Sequence, residues 1–168
     1  PEVEYHEGDI RTFRLDRQFS VVLLHDASAY MMTPADLHAA YATAAAHLKP
    51  GGVLVTLPET LRSHFRQHHV ESETREADGR TVTMVTVEFD PDPSDTWFEE
   101  TFIFLIREPG QPLRVETDTH LAGLYHLEEM LDLLRAEGFD PQAEPWELSS
   151  LPPGEDYPLI TAIKQRVS

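Results

Sequence analysis

The sequence predicts an α/β fold in which a parallel sheet is followed by an inserted antiparallel β-meander. Two observations support this prediction. Over residues 3–57, short apolar runs alternate with a long Ala-rich helical segment, an order that is typical of parallel α/β sheets. From residue 71 onward, long segments rich in Thr, Val and Phe are separated by turn-forming residues, a pattern that is typical of antiparallel strands.

The first part of the chain contributes two predicted strands. Residues 3–7 alternate between apolar and polar side chains, and we expect a short strand that ends in a loop at Gly8 and Asp9. Residues 19–24 are almost continuously apolar, which indicates a strand buried on both faces of a parallel sheet. This second strand ends at His25.

A helix is expected to follow Thr33. Thr33 suits the N-cap, Pro34 suits the first helical position, and Asp36 suits the positive end of the helix dipole. The Ala-rich body favours close packing on a sheet, and the Lys-Pro-Gly-Gly turn of residues 49–52 ends the helix. Residues 53–57 then form another apolar strand.

The second part of the chain contributes the meander, a helix and a closing strand. The predicted meander strands are residues 81–89, 96–107 and 113–121, within an insertion that we place at residues 71–122. Residues 126–137 carry apolar side chains at helical spacing and are followed by a glycine, which indicates a helix. Residues 157–163 are expected to close the domain with a last strand.

The composition limits the kinds of partner that the chain is expected to bind and its expected cellular location. The 30 acidic residues outnumber the 13 Lys and Arg residues and give a formal charge of −17, so we expect neither a nucleic acid nor a membrane partner. The 168 residues fit one domain, and no apolar run reaches the length of a membrane span. Because there is no cysteine, neither a disulfide nor a thiolate metal site is expected, and a cytoplasmic location is favoured.

Four segments carry a resemblance to a known family. They are GDIRTF, FSVVLLHDASAYM, HLKPGGVLV and HLEEMLDLLRAEGF, and their order and spacing resemble the class I S-adenosylmethionine-dependent methyltransferases. The small bacterial amino-sugar N-methyltransferases are the most similar members. The resemblance covers most of the chain, from about Val3 to Ile163, and implies a Rossmann-like sheet with the meander on the side of the methyl acceptor. It also implies S-adenosylmethionine as cofactor and methyl transfer to an amine or hydroxyl of a small molecule.

Two motifs of that family would precede Pro1. They are the glycine-rich loop after the first strand and the acidic residue that holds the cofactor's ribose. We therefore expect residues 1–168 to form a single partial domain, the C-terminal part of a longer product. Alone, this chain should be inactive and bind the cofactor weakly or not at all. The family's first strand lies beside the strand at residues 19–24, so we expect that edge to be bare and the chain to self-associate there.

The resemblance assigns cofactor contacts to three residues. Asp9 would accept a hydrogen bond from the adenine amino group, and Ile10 would lie against the adenine ring. Leu24 is the third residue expected to contact the cofactor. The structural alternatives stay open at this point, because an Asp after Gly often caps a turn and an Ile often belongs to the core.

His25 and Asp26 are the candidate catalytic residues. They follow the carboxyl end of a predicted strand, which is where ligands bind in open α/β sheets. Imidazole exchanges a proton readily near neutral pH, so His25 is the first candidate for the group that takes the acceptor's proton. Asp26 would orient His25 or hold an ammonium group. An equal alternative is a polar loop whose side chains satisfy backbone groups.

Three further residues are candidates for contact with the methyl acceptor. Tyr30 would wall the pocket, while His120 and Tyr125 come from the segment HLAGLYH, a region that contributes to the acceptor pocket in the family. The alternatives are that Tyr30 closes the core, that Tyr125 packs, and that His126 caps the following helix.

No metal site is expected, and two other functions stay open. His64 and His68 have the spacing of a helical ligand pair, but no acidic third ligand follows in register. One alternative function is a non-catalytic binding or scaffolding module that has lost the cofactor-binding half. The other is a short-chain dehydrogenase, which lacks support because neither Tyr30 nor Tyr41 is followed by Lys four residues later.

Overall fold

The structure, a computed structural model, describes residues 3–25, 27–58, 60–146 and 157–166. Its elements in chain order are β1 (Phe19–His25), a short 3₁₀ helix (Ala27–Tyr30), α1 (Pro34–His47), β2 (Leu48–Leu57), β3 (Val70–Ala77), β4 (Arg80–Phe89), β5 (Trp97–Arg107), β6 (Arg114–Gly123), α2 (Leu127–Ala136), β7 (Phe139–Trp146) and β8 (Tyr157–Lys164). Within these residues, no helix has the length and apolar character that a membrane span requires.

The strands form two four-stranded sheets. In the first sheet the order is β1-β2-β8-β7, with β1 parallel to β2 and with β8 antiparallel to both of its neighbours. The second sheet has the order β3-β4-β5-β6 and is an antiparallel meander throughout. The predicted α/β class with an inserted meander is confirmed.

The core lies between the first sheet and the two helices. Helix α1 buries Leu37 and Tyr41, and α2 buries Leu134. These side chains belong to one apolar cluster with Leu54 of β2 and Ile160 of β8. This packing leaves the carboxyl ends of β1 and β2 free to lead into loops on one side of the sheet.

Helix α1 begins as its sequence predicts. The Thr33 hydroxyl accepts a hydrogen bond from the Asp36 backbone N–H at 3.1 Å, and Pro34 occupies the first helical position. The predicted turn at residues 49–52 is instead an irregular start of β2, because the pairing register with β1 jumps from Leu48 to Val53.

Two sequence predictions about strands are wrong. Residues 3–7 form no strand, because in the part of the chain that the structure describes no other strand lies beside them to share hydrogen bonds. Strand β1 is not buried on both faces, since Val21 is 57% exposed and Leu23 is 62% exposed. Only the face of β1 that carries the buried Leu24 is covered, and β1 is an edge strand of its sheet as described.

Two strands were missed by the sequence analysis. Strand β3 is exposed along its whole length and contains mostly charged and polar residues, and β7 contains Pro141 and Pro145. Both are edge strands. Charge and proline are tolerated at a sheet edge because one side of the strand needs no hydrogen-bonding partner.

Candidate functional site

A cavity of about 810 Å³ lies between the face of the meander and the loops that follow β1 and β2. The 3₁₀ helix contributes Ser28 and Tyr30, the loop after β2 contributes Pro58, Thr60 and residues 63–66, and the meander contributes residues of β4, β5 and β6. Tyr30, His120 and Tyr125 all line this cavity. The structure thus brings together the three residues that the sequence suggests for acceptor contact.

Tyr125 lines the cavity and also forms a hydrogen bond to the main chain. Its side chain is buried, and its hydroxyl donates a hydrogen bond to the Met31 carbonyl at 2.5 Å. Burial raises the pKa of Tyr125 to about 12, so its hydroxyl stays protonated at neutral pH. Tyr30 differs from it, since its side chain is 60% exposed. The predicted packing of Tyr125 and its predicted place at the cavity therefore coexist.

The face of the meander adds a row of ionisable side chains that the sequence analysis missed. Glu88 and Glu100 are directly opposite each other on β4 and β5, and His120 is opposite Glu100 on β6. His69 stands at the other end of the row, where Glu88 exchanges backbone hydrogen bonds with residues 68 and 69. All four of these side chains line the cavity.

The two carboxyl groups are half-buried, and their surroundings shift their pKa values. Burial raises the pKa of Glu88, although nearby His69 opposes this shift. Burial and the neighbouring Glu88 raise the pKa of Glu100, while His120 opposes the shift. A sequence signal existed for Glu100, because strand alternation places it on the same face as Phe98 and Phe102, where an apolar residue is expected.

His25 lies at the exposed carboxyl end of β1, three residues before Ser28 of the cavity wall. It is not among the residues that line the cavity in the described structure. Asp26 lies outside the described residues. The catalytic roles suggested for both residues stay predictions.

A second, smaller cavity of about 300 Å³ contains two of the three suggested cofactor residues. Ile10 and Leu24 both line it, together with Gly8, Phe13 and apolar side chains of α1. The lining suits a flat apolar ring. Gly8 leaves room for the Phe13 ring, since a Cβ at this position would lie 2.3 Å from that ring and the Phe13 side chain would have to move. These residues therefore fit the adenine of the cofactor that the resemblance implies.

Asp9 stands between Gly8 and Ile10 in the sequence, but it does not line the smaller cavity, and its side chain is bonded to Arg11. Its carboxylate accepts hydrogen bonds from the Arg11 backbone N–H at 2.9 Å and from the Arg11 guanidinium at 2.6 Å, and Arg11 also bonds Asp36 at 2.7 Å. Hydrogen bonds from Arg11 lower the pKa of Asp9 to about 2. The main-chain carbonyl of Asp9 accepts hydrogen bonds from the backbone N–H groups of Thr12 and Phe13, so Asp9 also stabilises a tight turn.

The histidines near residue 64 do not form the helical pair that their spacing permits. His64 and His68 lie in separate turns, and the His68 backbone has a positive φ of 61°. Within the ranges that the structure describes, no group of three or more His, Asp or Glu side chains is arranged to hold a metal ion.

Comparison with known proteins relates the chain to sugar methyltransferases, although no protein-family model matches it. It is 36% identical over 139 residues to a dTDP-3-amino-3,4,6-trideoxy-α-D-glucopyranose N,N-dimethyltransferase of Streptomyces venezuelae, a match that covers 82% of this chain and 57% of the relative. It is 30% identical over 149 residues to a dTDP-3-amino-3,6-dideoxy-α-D-glucopyranose N,N-dimethyltransferase of Streptomyces fradiae, over 86% of this chain and 56% of the relative. The chain therefore spans a little over half the length of these curated relatives.

Solved structures give the same result. The crystal structure of DesVI from Streptomyces venezuelae matches 94% of this chain with a TM-score of 0.76 and 32% identity, and the match covers 64% of that chain. CalS10, an amino pentose methyltransferase from Micromonospora echinaspora solved with bound S-adenosylmethionine, matches 94% of this chain with a TM-score of 0.78 and 27% identity, over 63% of that chain. In sequence and in fold, this chain is similar to the S-adenosylmethionine-dependent amino-sugar N-methyltransferases, which confirms the resemblance carried by its motifs.

Proposed function

We propose that this chain is the acceptor-side part of a methyltransferase that uses S-adenosylmethionine to methylate the amino group of a nucleotide-linked amino sugar. The names of the curated relatives support this class of acceptor, because each describes an N,N-dimethyltransferase acting on a dTDP-linked amino sugar. A nucleotide sugar is a small molecule, which agrees with a cavity rather than an extended binding surface.

The larger cavity is the observation that carries this proposal. Its volume of about 810 Å³ falls within the range of small-molecule sites, roughly 300–1,000 Å³. The loops after both parallel strands reach it, through Tyr30 after β1 and Pro58 after β2. The carboxyl ends of parallel strands are where open α/β sheets bind their ligands.

The smaller cavity is the proposed site for part of the cofactor. When bound, S-adenosylmethionine supplies a methyl group on a positively charged sulfur, which makes that methyl group reactive toward an amine. Ile10 and Leu24 would enclose the adenine. Asp9 would accept a hydrogen bond from the adenine amino group. Because Arg11 already donates hydrogen bonds to both oxygens of the Asp9 carboxylate, the adenine amino group would share one of these oxygens with Arg11.

The chain's own residues would mainly position the acceptor and receive its proton. Tyr30, His120 and Tyr125 would hold the acceptor within the larger cavity. His25 is the proposed base, with Asp26 as second candidate, because His25 ends β1 close to the 3₁₀ helix of the cavity wall. A reactive methyl donor leaves orientation as the principal demand on the protein.

The first experiment is a methyl-transfer assay on the product of the whole gene, beside the 168-residue chain. Each is incubated with S-adenosylmethionine and dTDP-3-amino-3,6-dideoxyglucose, and mass spectrometry follows products heavier by one or two methyl groups. His25→Ala should lower kcat by about 10² or more, as for loss of a general base. The matched control is His38→Ala, which removes a half-buried imidazole of α1 that lies 2.8 Å from Glu137 and does not line the larger cavity.

Two outcomes would overturn parts of this proposal. If His25→Ala retains full kcat, then His25 is not the base. If the whole-gene product neither binds S-adenosylmethionine in calorimetry nor transfers a methyl group, then the binding or scaffolding module is the better account. The cytoplasmic location stays a prediction.

We also propose that the 168-residue chain self-associates through β1. Support comes from the exposure of Val21 and Leu23 on a strand that stands at the edge of its sheet as described. Light scattering at rising concentration should show a growing mass, and Val21→Lys should restore the monomer. A constant monomer mass at high concentration would contradict self-association.

A further inference from the structure

We propose that Glu88 and Glu100 form the subsite that binds the positively charged amino group of the acceptor, an inference that rests on the proposed function. Neither residue belongs to the motifs of the family resemblance. They are neighbours only because of the register in which β4 pairs with β5. Residue 88 on β4 pairs with residue 100 on β5, so the two carboxylates emerge side by side on the face that borders the larger cavity.

The arrangement is unfavourable without a positively charged partner. Like charges directly opposite on neighbouring strands destabilise a sheet, and both carboxyl groups are half-buried. Within the part of the chain that the structure describes, neither carboxylate accepts a hydrogen bond or has a cationic group at ion-pair distance, although the more distant His69 and His120 act on them electrostatically. The histidines at the ends of the row have other carboxylate partners, since His69 bonds Glu71 at 3.0 Å and His120 bonds Asp118 at 3.1 Å.

A buried hydroxyl in the same cavity independently points to a ligand. Ser28 lines the cavity from the 3₁₀ helix and is only 4% exposed. Its hydroxyl has no hydrogen-bond partner among the described residues. Buried polar groups are normally satisfied, so this hydroxyl fits a polar group of a molecule that fills the cavity.

The charge of the row selects the chemistry of that molecule. At neutral pH an alkyl amine is an ammonium ion, whereas a sugar hydroxyl is neutral. Two adjacent carboxylates on the wall favour the ammonium ion, and Phe98 and Phe102 beside Glu100 exclude water from part of the same wall. The subsite thus distinguishes an amino sugar from the matching hydroxy sugar. The proton lost before transfer is left to the proposed base, His25.

The test compares two probes on the product of the whole gene. The probes are dTDP-3-amino-3,6-dideoxyglucose and dTDP-6-deoxyglucose, which differ in an amino against a hydroxyl group. Calorimetry with S-adenosylhomocysteine present gives both affinities without turnover. Glu100→Gln and Glu88→Gln should each weaken binding of the amino sugar about tenfold and leave binding of the hydroxy sugar within about twofold.

The matched control is Glu99→Gln, which makes the same charge change on the opposite face of β5. It should leave both affinities unchanged. Thermal unfolding supplies a second measurement, because removing one of two opposed carboxylates should raise the Tm of the ligand-free Glu100→Gln protein and not that of Glu99→Gln.

The outcomes separate this inference from the proposed function. If the unsubstituted protein binds the amino sugar and both Gln variants keep their preference for it, the subsite is wrong and the proposed function stands. If the unsubstituted protein binds neither probe, the proposed function fails first. Selective loss of the amino-sugar affinity in both Gln variants supports the inference.

Discussion

The Tyr125 hydroxyl donates a hydrogen bond to the main-chain carbonyl of Met31 at 2.5 Å, across 94 positions of the sequence. This bond joins the segment between the meander and α2 to the segment between the 3₁₀ helix and α1. Tyr125 lines the larger cavity, and so does the 3₁₀ helix that directly precedes Met31. The shape of the cavity therefore depends on a contact between parts of the chain that are distant in sequence.

Tyr125→Phe should lower the free energy of unfolding by about 0.5–1.5 kcal/mol, because it removes this bond while retaining the buried ring. Urea denaturation monitored by circular dichroism measures the change. Tyr30→Phe is the matched control, since the Tyr30 side chain is 60% exposed, and it should leave stability unchanged. Equal stabilities of the two variants would show that the Tyr125 bond contributes nothing.

Gly123 should not tolerate a side chain. A Cβ at this position would lie 2.5 Å from the Met31 carbonyl oxygen and 2.8 Å from the Tyr125 ring. Gly123→Ala should therefore destabilise the protein by about 1–3 kcal/mol, since a backbone atom is the obstacle and cannot move aside freely. Ala122→Gly, which removes one methyl group from the adjacent position, serves as control and should cost less than about 1 kcal/mol. A Gly123→Ala protein of normal stability would refute the close contact.

The ion pair of Asp9 with Arg11 should be visible in a pH titration. The pKa of Asp9 in the folded protein is about 2, below its ordinary value of 3.8, because Arg11 donates hydrogen bonds to the carboxylate. A lowered pKa means that the pair contributes to stability above about pH 4 and that this contribution disappears as the pH falls toward 2.

Arg11→Met should raise the Asp9 midpoint toward 3.8 but not fully to it, because the backbone N–H of residue 11 still donates to the carboxylate; the carboxyl ¹³C shift in NMR follows the change. Asp92 is an internal control, because hydrogen bonds from Ser94 lower its pKa and Arg11 is not involved. Its midpoint should be the same in both proteins. An Asp9 midpoint that Arg11→Met leaves unchanged would rule out the ion pair.

His47 connects α1 to the loop before β1. Its Nε2 accepts a hydrogen bond from the Leu15 backbone N–H at 2.8 Å, which leaves Nδ1–H to donate to the Thr43 carbonyl at 2.8 Å. His47→Phe keeps the stacking on Phe13 but leaves the Leu15 N–H unpaired, so it should cost about 1–3 kcal/mol in denaturant unfolding. His38→Phe should cost less, because the His38 side chain is 44% exposed and no backbone N–H of the described residues depends on it, and the reverse order would contradict this account.

Local patterns predicted most elements of the chain but missed one edge strand in each sheet. The cap at Thr33, the apolar run of β1 and the spacing of α2 are properties of short segments, and the structure has all three elements. The edge strands β3 and β7 lack such a pattern, because charge and proline at an edge resemble a loop in sequence. The predicted strand at residues 3–7 had the pattern but has no neighbour in the described structure.

The sequence by itself determined the fold class and the family resemblance, and it suggested three residues for acceptor contact, because motifs and periodicity are properties of short segments. Only the tertiary structure decided that Glu88 and Glu100 are adjacent and that Ile10 meets Leu24 at the smaller cavity. Such pairs depend on strand register and on the packing of distant segments. A one-residue slip of β4 against β5 would turn Glu88 and Glu100 to opposite faces, and no local pattern specifies that register.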